Sequence, residues 1–154
     1  MSWRRFLAIG KRNMLATVNV TKVVDAPVEK IWLAIRSIDG LDGWFSIIES
    51  CRVDGQGVGA IRTLRLVGGG EMRDRIVEIA DTERRFRYER FELPFPVENY
   101  RGTVEARGRA DHRSDVIWRV QFEVAAEKRG ELAALIEGAL SDGIDGLGRA
   151  LTKT

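Results

Sequence analysis

Three charged residues fall on strand faces that carry mostly apolar side chains. In the stretch "GGGEMRDRIVEI", residues 68–79, one face carries Met72, Asp74, Ile76 and Glu78. Arg62 and Arg90 take the matching positions in the predicted neighbouring strands. A buried charge is costly unless it is paired and hydrogen-bonded. We therefore expect Arg62 and Arg90 to hold Asp74 inside the protein, and the second arginine leaves positive charge for an acidic ligand.

Two other interpretations of this stretch stay open. The three charges could form an ion cluster whose only role is to hold the strands in register. Alternatively, a β-bulge near Ile76 could reset the alternation and turn Val77 and Ile79 inward.

The same residues also suggest catalysis as an alternative. Asp74, with a pKa raised by burial, could act as a general acid or base, and Tyr88 or Tyr100 could donate a proton in a cyclisation or dehydration. The sequence shows no nucleophile–base pair, phosphate-binding loop or metal motif. Whether the protein is an enzyme stays open, and binding without catalysis is favoured.

The numbers of cysteine and histidine residues and the distribution of charges disfavour several classes of function. The chain has a single cysteine, Cys51, and a single histidine, His112, so we expect no disulfide framework, no metal site and no cofactor. Its 25 basic and 23 acidic residues are interleaved rather than concentrated in one stripe. This pattern disfavours nucleic acid as a partner.

The segment before the first strand is basic. Residues 1–15 hold four positive charges and no negative charge. Their apolar run is too short for a signal peptide or a transmembrane helix. We expect a basic N-terminal extension over 1–15, a weak contact with an acidic membrane surface at most, and a cytoplasmic protein that is a monomer or homodimer.

The spacing of apolar residues predicts the elements that position the charges. Residues 16–24 alternate as a strand, and a helix follows with Asp25 as N-cap and Pro27 in its first turn. A short helical turn is expected over 41–45. From 46 to 124, six strands separated by short turns predict an antiparallel meander, in which Asp74 lies near Arg90.

The last element reads as one long amphipathic helix that contains several glycines. Gly143 and Gly146 fall near its apolar face. Either the helix ends early, near Asp142, or its small residues leave space between the helix and the sheet. Each glycine costs about 1 kcal/mol relative to alanine in a helix interior.

The motifs "APVEKIW", "GVGAIRTLRL", "GGEMRDRIVEIADTERRFRYE", "LPFPVENYRGTVEA" and "DVIWRVQFEV" occur in this order. Together they resemble the START-like, SRPBCC superfamily, also called the polyketide cyclase/dehydrase and lipid transport group. The resemblance runs from about Ala16 to Leu151 and implies a ligand-binding domain over 16–152. It implies an α+β helix-grip fold, in which a curved antiparallel sheet of about seven strands wraps around the long C-terminal helix, with two short helices after the first strand.

Members of this superfamily enclose a cavity for a small, mostly apolar molecule. The resemblance therefore implies binding of a small hydrophobic molecule, with an acidic group as one option. The alternatives are a polyketide cyclase or dehydratase acting in the same cavity, and a protein-interaction module without a ligand of its own. The residues expected at the ligand are Trp44, Arg62, Leu64, Asp74, Tyr88, Arg90, Tyr100, Trp118, Gly143 and Leu147.

Overall fold

A computed structural model describes residues 13–152 of the 154-residue chain. They form an α+β fold with seven strands, two α-helices and one turn of 3-10 helix. The strands are β1 (Asn13–Val24), β2 (Ile48–Asp54), β3 (Ile61–Leu66), β4 (Glu71–Ala80), β5 (Arg85–Glu92), β6 (Val97–Gly108) and β7 (Ser114–Ala125). The helices are α1 (Val28–Arg36), the 3-10 turn (Leu41–Gly43) and α2 (Ala126–Thr152).

All seven strands belong to one antiparallel sheet in the order β1-β7-β6-β5-β4-β3-β2. The predicted meander and the helix-grip fold are therefore confirmed. Alternate residues of β1, β4, β6 and β7 are buried on the face of the sheet that packs against the helices. On β7 every second residue from Val116 to Val124 is buried, including Trp118. The core thus lies between the concave face of the sheet and the helices.

β1 begins at Asn13, which pairs with Ala125 at the end of β7. Residues 13–15, assigned above to the N-terminal extension, therefore lie in the first strand, three residues ahead of its expected start. The rest of that extension, residues 1–12, lies outside the described residues.

Helix α1 buries Val28, Ile31, Trp32 and Ile35, as its sequence spacing predicts. The predicted N-cap is wrong, because the capping position is occupied by Pro27 and no side chain bonds to the helix start. At the outer side of the helix, Trp32 Nε1 and Arg36 Nε donate hydrogen bonds of 2.9 and 2.7 Å to Asp81. These bonds tie α1 to the turn between β4 and β5.

β4 contains the bulge that was left open above. Its pairing with β5 shifts between Ile76 and Glu78, so Val77 is the extra residue. Asp74 and Ile76, which precede the bulge, both point into the core, and Ile79 packs against the core after it. Val77 itself stays on the exposed face. The bulge therefore does not displace Asp74 from the interior.

Helix α2 runs unbroken for 27 residues, so the interpretation that it ends near Asp142 is wrong. Gly143 and Gly146 do not leave empty space beside the sheet, whereas a Cβ at Gly138 would meet nothing within 4 Å. A Cβ added to Gly143 would collide with the ring of Phe45, and one added to Gly146 would collide with the backbone carbonyl of Trp44. Glycine is required here because the segment after α1 approaches the helix too closely for any side chain.

No helix within residues 13–152 is long and apolar enough to cross a membrane.

Candidate functional site

A cavity of about 670 Å³ lies between the concave face of the sheet and the first half of α2. Apolar and aromatic side chains make up most of its wall. Its deep end is formed by buried residues of the sheet, and the rim includes the exposed side chains of Ile47, Val67 and Leu135. Its volume falls within the roughly 300–1,000 Å³ that is typical of small-molecule pockets.

The expected ion cluster is present beneath this cavity, on the register that the sequence predicts. Asp74 pairs across β3 with Arg62 and across β5 with Arg90. Arg90 donates from Nε to Oδ1 at 2.6 Å and from Nη2 to Oδ2 at 3.1 Å. Arg62 donates from Nε to Oδ2 at 3.0 Å. The Asp74 side chain is 0% exposed, so two guanidinium groups surround one fully buried carboxylate.

Aromatic rings pack against both guanidinium groups. The ring of Tyr88 contacts both, with its centroid 5.1 Å from Cζ of Arg62 and 5.3 Å from Cζ of Arg90. The ring of Tyr100 also contacts Arg90, with its centroid 4.9 Å from Cζ. Desolvated cation–π contacts of this kind contribute up to about 2 kcal/mol. The rings therefore hold both arginines in place without neutralising them.

The pKa of Asp74 is lowered, which contradicts the expectation of a raised value. Burial alone would raise this pKa, but the charges of Arg90 and Arg62 and the hydrogen bonds they donate outweigh the effect of burial. Asp74 is therefore an ionised carboxylate whose oxygens are both occupied. This arrangement does not suit a general acid or base.

The lowered pKa of Asp74 predicts how acid affects stability. Because the folded pKa lies below the ordinary value of 3.8, the stabilisation is complete above about pH 4 and is lost as the pH falls through the folded pKa. Between about pH 6 and pH 3, the melting temperature of the wild type should therefore fall more than that of Asp74→Asn. Exposed carboxylates contribute equally to both proteins, so parallel curves would contradict the role given to Asp74.

Hydrogen-bond donors of three residues remain available at the deep end of the cavity. Arg90 uses Nε and Nη2 on Asp74, while Nη1 donates to none of residues 13–152. The Tyr88 hydroxyl accepts a 3.1 Å hydrogen bond from Trp118 Nε1, which leaves its own proton free. Tyr100 also lines the cavity. Burial raises the pKa of Tyr88 and Tyr100, so both hydroxyls keep their protons and can donate them.

Four of the residues expected at the ligand line this cavity: Tyr88, Arg90, Tyr100 and Trp118. The other six lie elsewhere. Arg62, Leu64 and Asp74 are buried behind the cavity wall. Gly143 packs on Phe45, Leu147 is buried farther along α2, and Trp44 contacts Gly40 and Gly146, so these three do not line the cavity.

Most of the apolar wall was not predicted from the sequence. Phe45 is the clearest example, because it lines the cavity and packs edge-on against Trp118 with ring centroids 5.3 Å apart. Met72 could have been identified, since it shares the inward alternation of Asp74. The lining residues of α2 include Leu132, Ile136 and Leu140, and the loop between β5 and β6 adds Leu93 and Phe95.

Among residues 13–152, no group of three or more His, Cys, Asp or Glu side chains could hold a metal ion.

The fold and the cavity define a helix-grip protein with an internal site for a small molecule. The sequence pattern of the family described as "polyketide cyclase / dehydrase and lipid transport" matches residues 16–152, and the chain belongs to that family. The superfamily expected from the sequence motifs is thereby confirmed.

Solved structures agree with this assignment. An uncharacterised protein from Bacillus thuringiensis is 27% identical, with a TM-score of 0.80, and the match covers 90% of this chain and 100% of that one. The protein XoxI from Bacillus cereus is also 27% identical, with a TM-score of 0.79 and coverages of 88% and 94%. Norcoclaurine synthase from Thalictrum flavum is 17% identical, with a TM-score of 0.75 and coverages of 92% and 96%, and shares the fold. No curated protein sequence matches this chain.

Proposed function

We propose that this protein binds a small hydrophobic molecule that carries an acidic group, with the acidic group at Arg90 and the apolar body against the cavity wall. The observation that carries the proposal is the position of Arg90, whose side chain is 9% exposed and lines a largely apolar cavity. The carboxylate of Asp142 also lines the cavity, but it accepts hydrogen bonds from the backbone N–H and the hydroxyl of Ser46. Burial alone would lower the pKa of Arg90, but the charge of Asp74 outweighs burial, so the guanidinium stays charged.

The surrounding groups favour an acid over a neutral molecule. Arg62 and Arg90 carry two positive charges and Asp74 carries one negative charge, so the cluster has a positive surplus. An anionic group at Nη1 of Arg90 would balance this surplus and could accept hydrogen bonds from Tyr88 and Tyr100. Hydrogen bonds to charged groups contribute about 1.5–3 kcal/mol each.

Catalysis as a cyclase or dehydratase is the weaker candidate. The family name allows it, but Asp74 has no free oxygen and does not line the cavity. The remaining proton donors are Tyr88 and Tyr100, whose raised pKa values suit hydrogen bonding better than proton transfer. We therefore favour binding over catalysis. We also propose that the protein is cytoplasmic and is a monomer or homodimer.

A matched pair of fluorescent probes tests the proposal. Anilinonaphthalene sulfonate and N-phenylnaphthylamine share their ring systems and differ in the anionic group. The wild type should bind the sulfonate more tightly, and Arg90→Gln should weaken its binding by roughly tenfold to a hundredfold with little effect on the neutral probe. Arg101→Gln removes the same charge from an exposed position and serves as the control.

Equal affinities of the wild type for the two probes would contradict the acidic preference. Failure of both probes to bind would contradict the binding function itself.

A further inference from the structure

Arg62 lies behind the deep end of the cavity, where the acidic group would bind. It contacts both that end and the segment that forms the opposite wall. Its side chain is 2% exposed and does not line the cavity. Nε donates to Oδ2 of Asp74 at 3.0 Å, and Nη1 donates to the backbone carbonyl of Ile38 at 2.9 Å. The rings of Phe86 and Tyr88 flank the guanidinium, with centroids 5.6 and 5.1 Å from Cζ.

Arg62 supplies the surplus charge, although Arg90 is the arginine that faces the cavity. Arg90 alone would form a neutral pair with Asp74, because two of its nitrogens are bonded to both carboxylate oxygens. The second guanidinium makes the cluster positive. A buried charge acts over several ångströms because the interior screens it less than water does. An anion at Arg90 would therefore depend on a residue that it does not touch.

The other contact of Arg62 is made to a residue in a strained conformation. Ile38 has φ 71°, in the left-handed region that β-branched residues rarely adopt. This conformation accompanies the direction of the Ile38 carbonyl, which points to Nη1 of Arg62. The chain then continues to Leu41 and Phe45, which line the cavity. Arg62 thus anchors the start of the segment that walls the site.

We infer that Arg62 is a positioning residue that determines the preference of the cavity for acidic ligands, through the charge it adds behind Arg90 and the wall segment it anchors at Ile38. This inference rests on the proposed function, since it concerns the same cavity. Arg62 would thus affect which molecules bind although it does not line the cavity.

The test compares Arg62→Gln with Arg62→Lys. Both variants lose the forked guanidinium, but only lysine keeps the charge. Arg62→Gln should reduce the affinity for anilinonaphthalene sulfonate by roughly tenfold while changing the affinity for N-phenylnaphthylamine much less. Arg62→Lys should keep most of the anionic preference. In both variants, amide hydrogen exchange over residues 38–45 should be faster than in the wild type, because the fork that binds Ile38 is lost.

The possible outcomes separate this inference from the proposed function. A wild type without anionic preference would overturn both. A preference that Arg90→Gln removes and Arg62→Gln preserves would overturn the role of Arg62 alone. Equal losses for both probes in both Arg62 variants would also overturn it, because they would show a purely structural role. If Arg62→Gln does not fold, Arg62→Lys still decides, since loss of its anionic preference contradicts the charge argument.

Discussion

Replacing Asp74 with asparagine should lower the free energy of unfolding by about 3–5 kcal/mol in the ligand-free protein. The carboxylate is 0% exposed and is the counter-charge of two buried guanidinium groups. An amide of the same shape can accept hydrogen bonds, but it leaves Arg62 and Arg90 facing each other as like charges. Chemical denaturation monitored by tryptophan fluorescence measures the change.

Glu78→Gln provides the control for this variant. Glu78 also lies on β4 and accepts hydrogen bonds of 2.8 and 3.1 Å from Arg85, but its side chain is 32% exposed. Exposed ion pairs contribute about 0–1 kcal/mol, so this variant should stay close to the wild type. If the two variants lose similar stability, the buried Asp74 carboxylate does not stabilise the fold more than an exposed ion pair does.

Gly146→Ala should destabilise the protein by about 3 kcal/mol, at the upper end of what overpacking costs. The added Cβ would collide with the carbonyl of Trp44, and a backbone group cannot rotate away as a side chain can. Either α2 or the segment over Trp44 and Phe45 must shift. Thermal and urea denaturation measure the loss.

Gly138→Ala is the matched control, since it makes the same change in the same helix. A Cβ at Gly138 would meet nothing within 4 Å. The substitution should therefore stabilise the protein by about 0.5–1 kcal/mol, because alanine is the better helix former. Destabilisation by both substitutions would contradict the distinction between close-packed and open glycines.

Strand alternation predicted the cluster correctly because side chains in a strand change face at every residue. The turn after β4 pairs Ala80 with Arg85, and the bulge at Val77 then shifts the register by one residue, which places Asp74 opposite Arg90. The sequence suggested a bulge near Ile76 but did not fix its position, because the residue types of a strand do not show which residue is the extra one. The bulge brings Asp74 opposite Arg90 and allows both Asp74 and Ile79 to face the core.

The helix side of the site was harder to predict. Small residues indicate that something lies close to a helix, but they do not say whether it is empty space or another segment. At Gly143 and Gly146 it is the segment that carries Trp44 and Phe45. The path of that segment depends on tertiary contacts such as the bond from Arg62 to Ile38, which no local pattern reveals. Phe45 was missed for this reason.

The indole N–H resonances of Trp118 and Trp32 test the central claim, that the ligand lies at the deep end of the cavity. Trp118 Nε1 donates to the Tyr88 hydroxyl in the cavity wall, whereas Trp32 Nε1 donates to Asp81 at the outer side of α1. On titration with anilinonaphthalene sulfonate, the NMR signal of Trp118 should shift in proportion to binding while that of Trp32 stays in place. A saturable binding curve with an unchanged Trp118 signal would place the probe elsewhere and contradict this account.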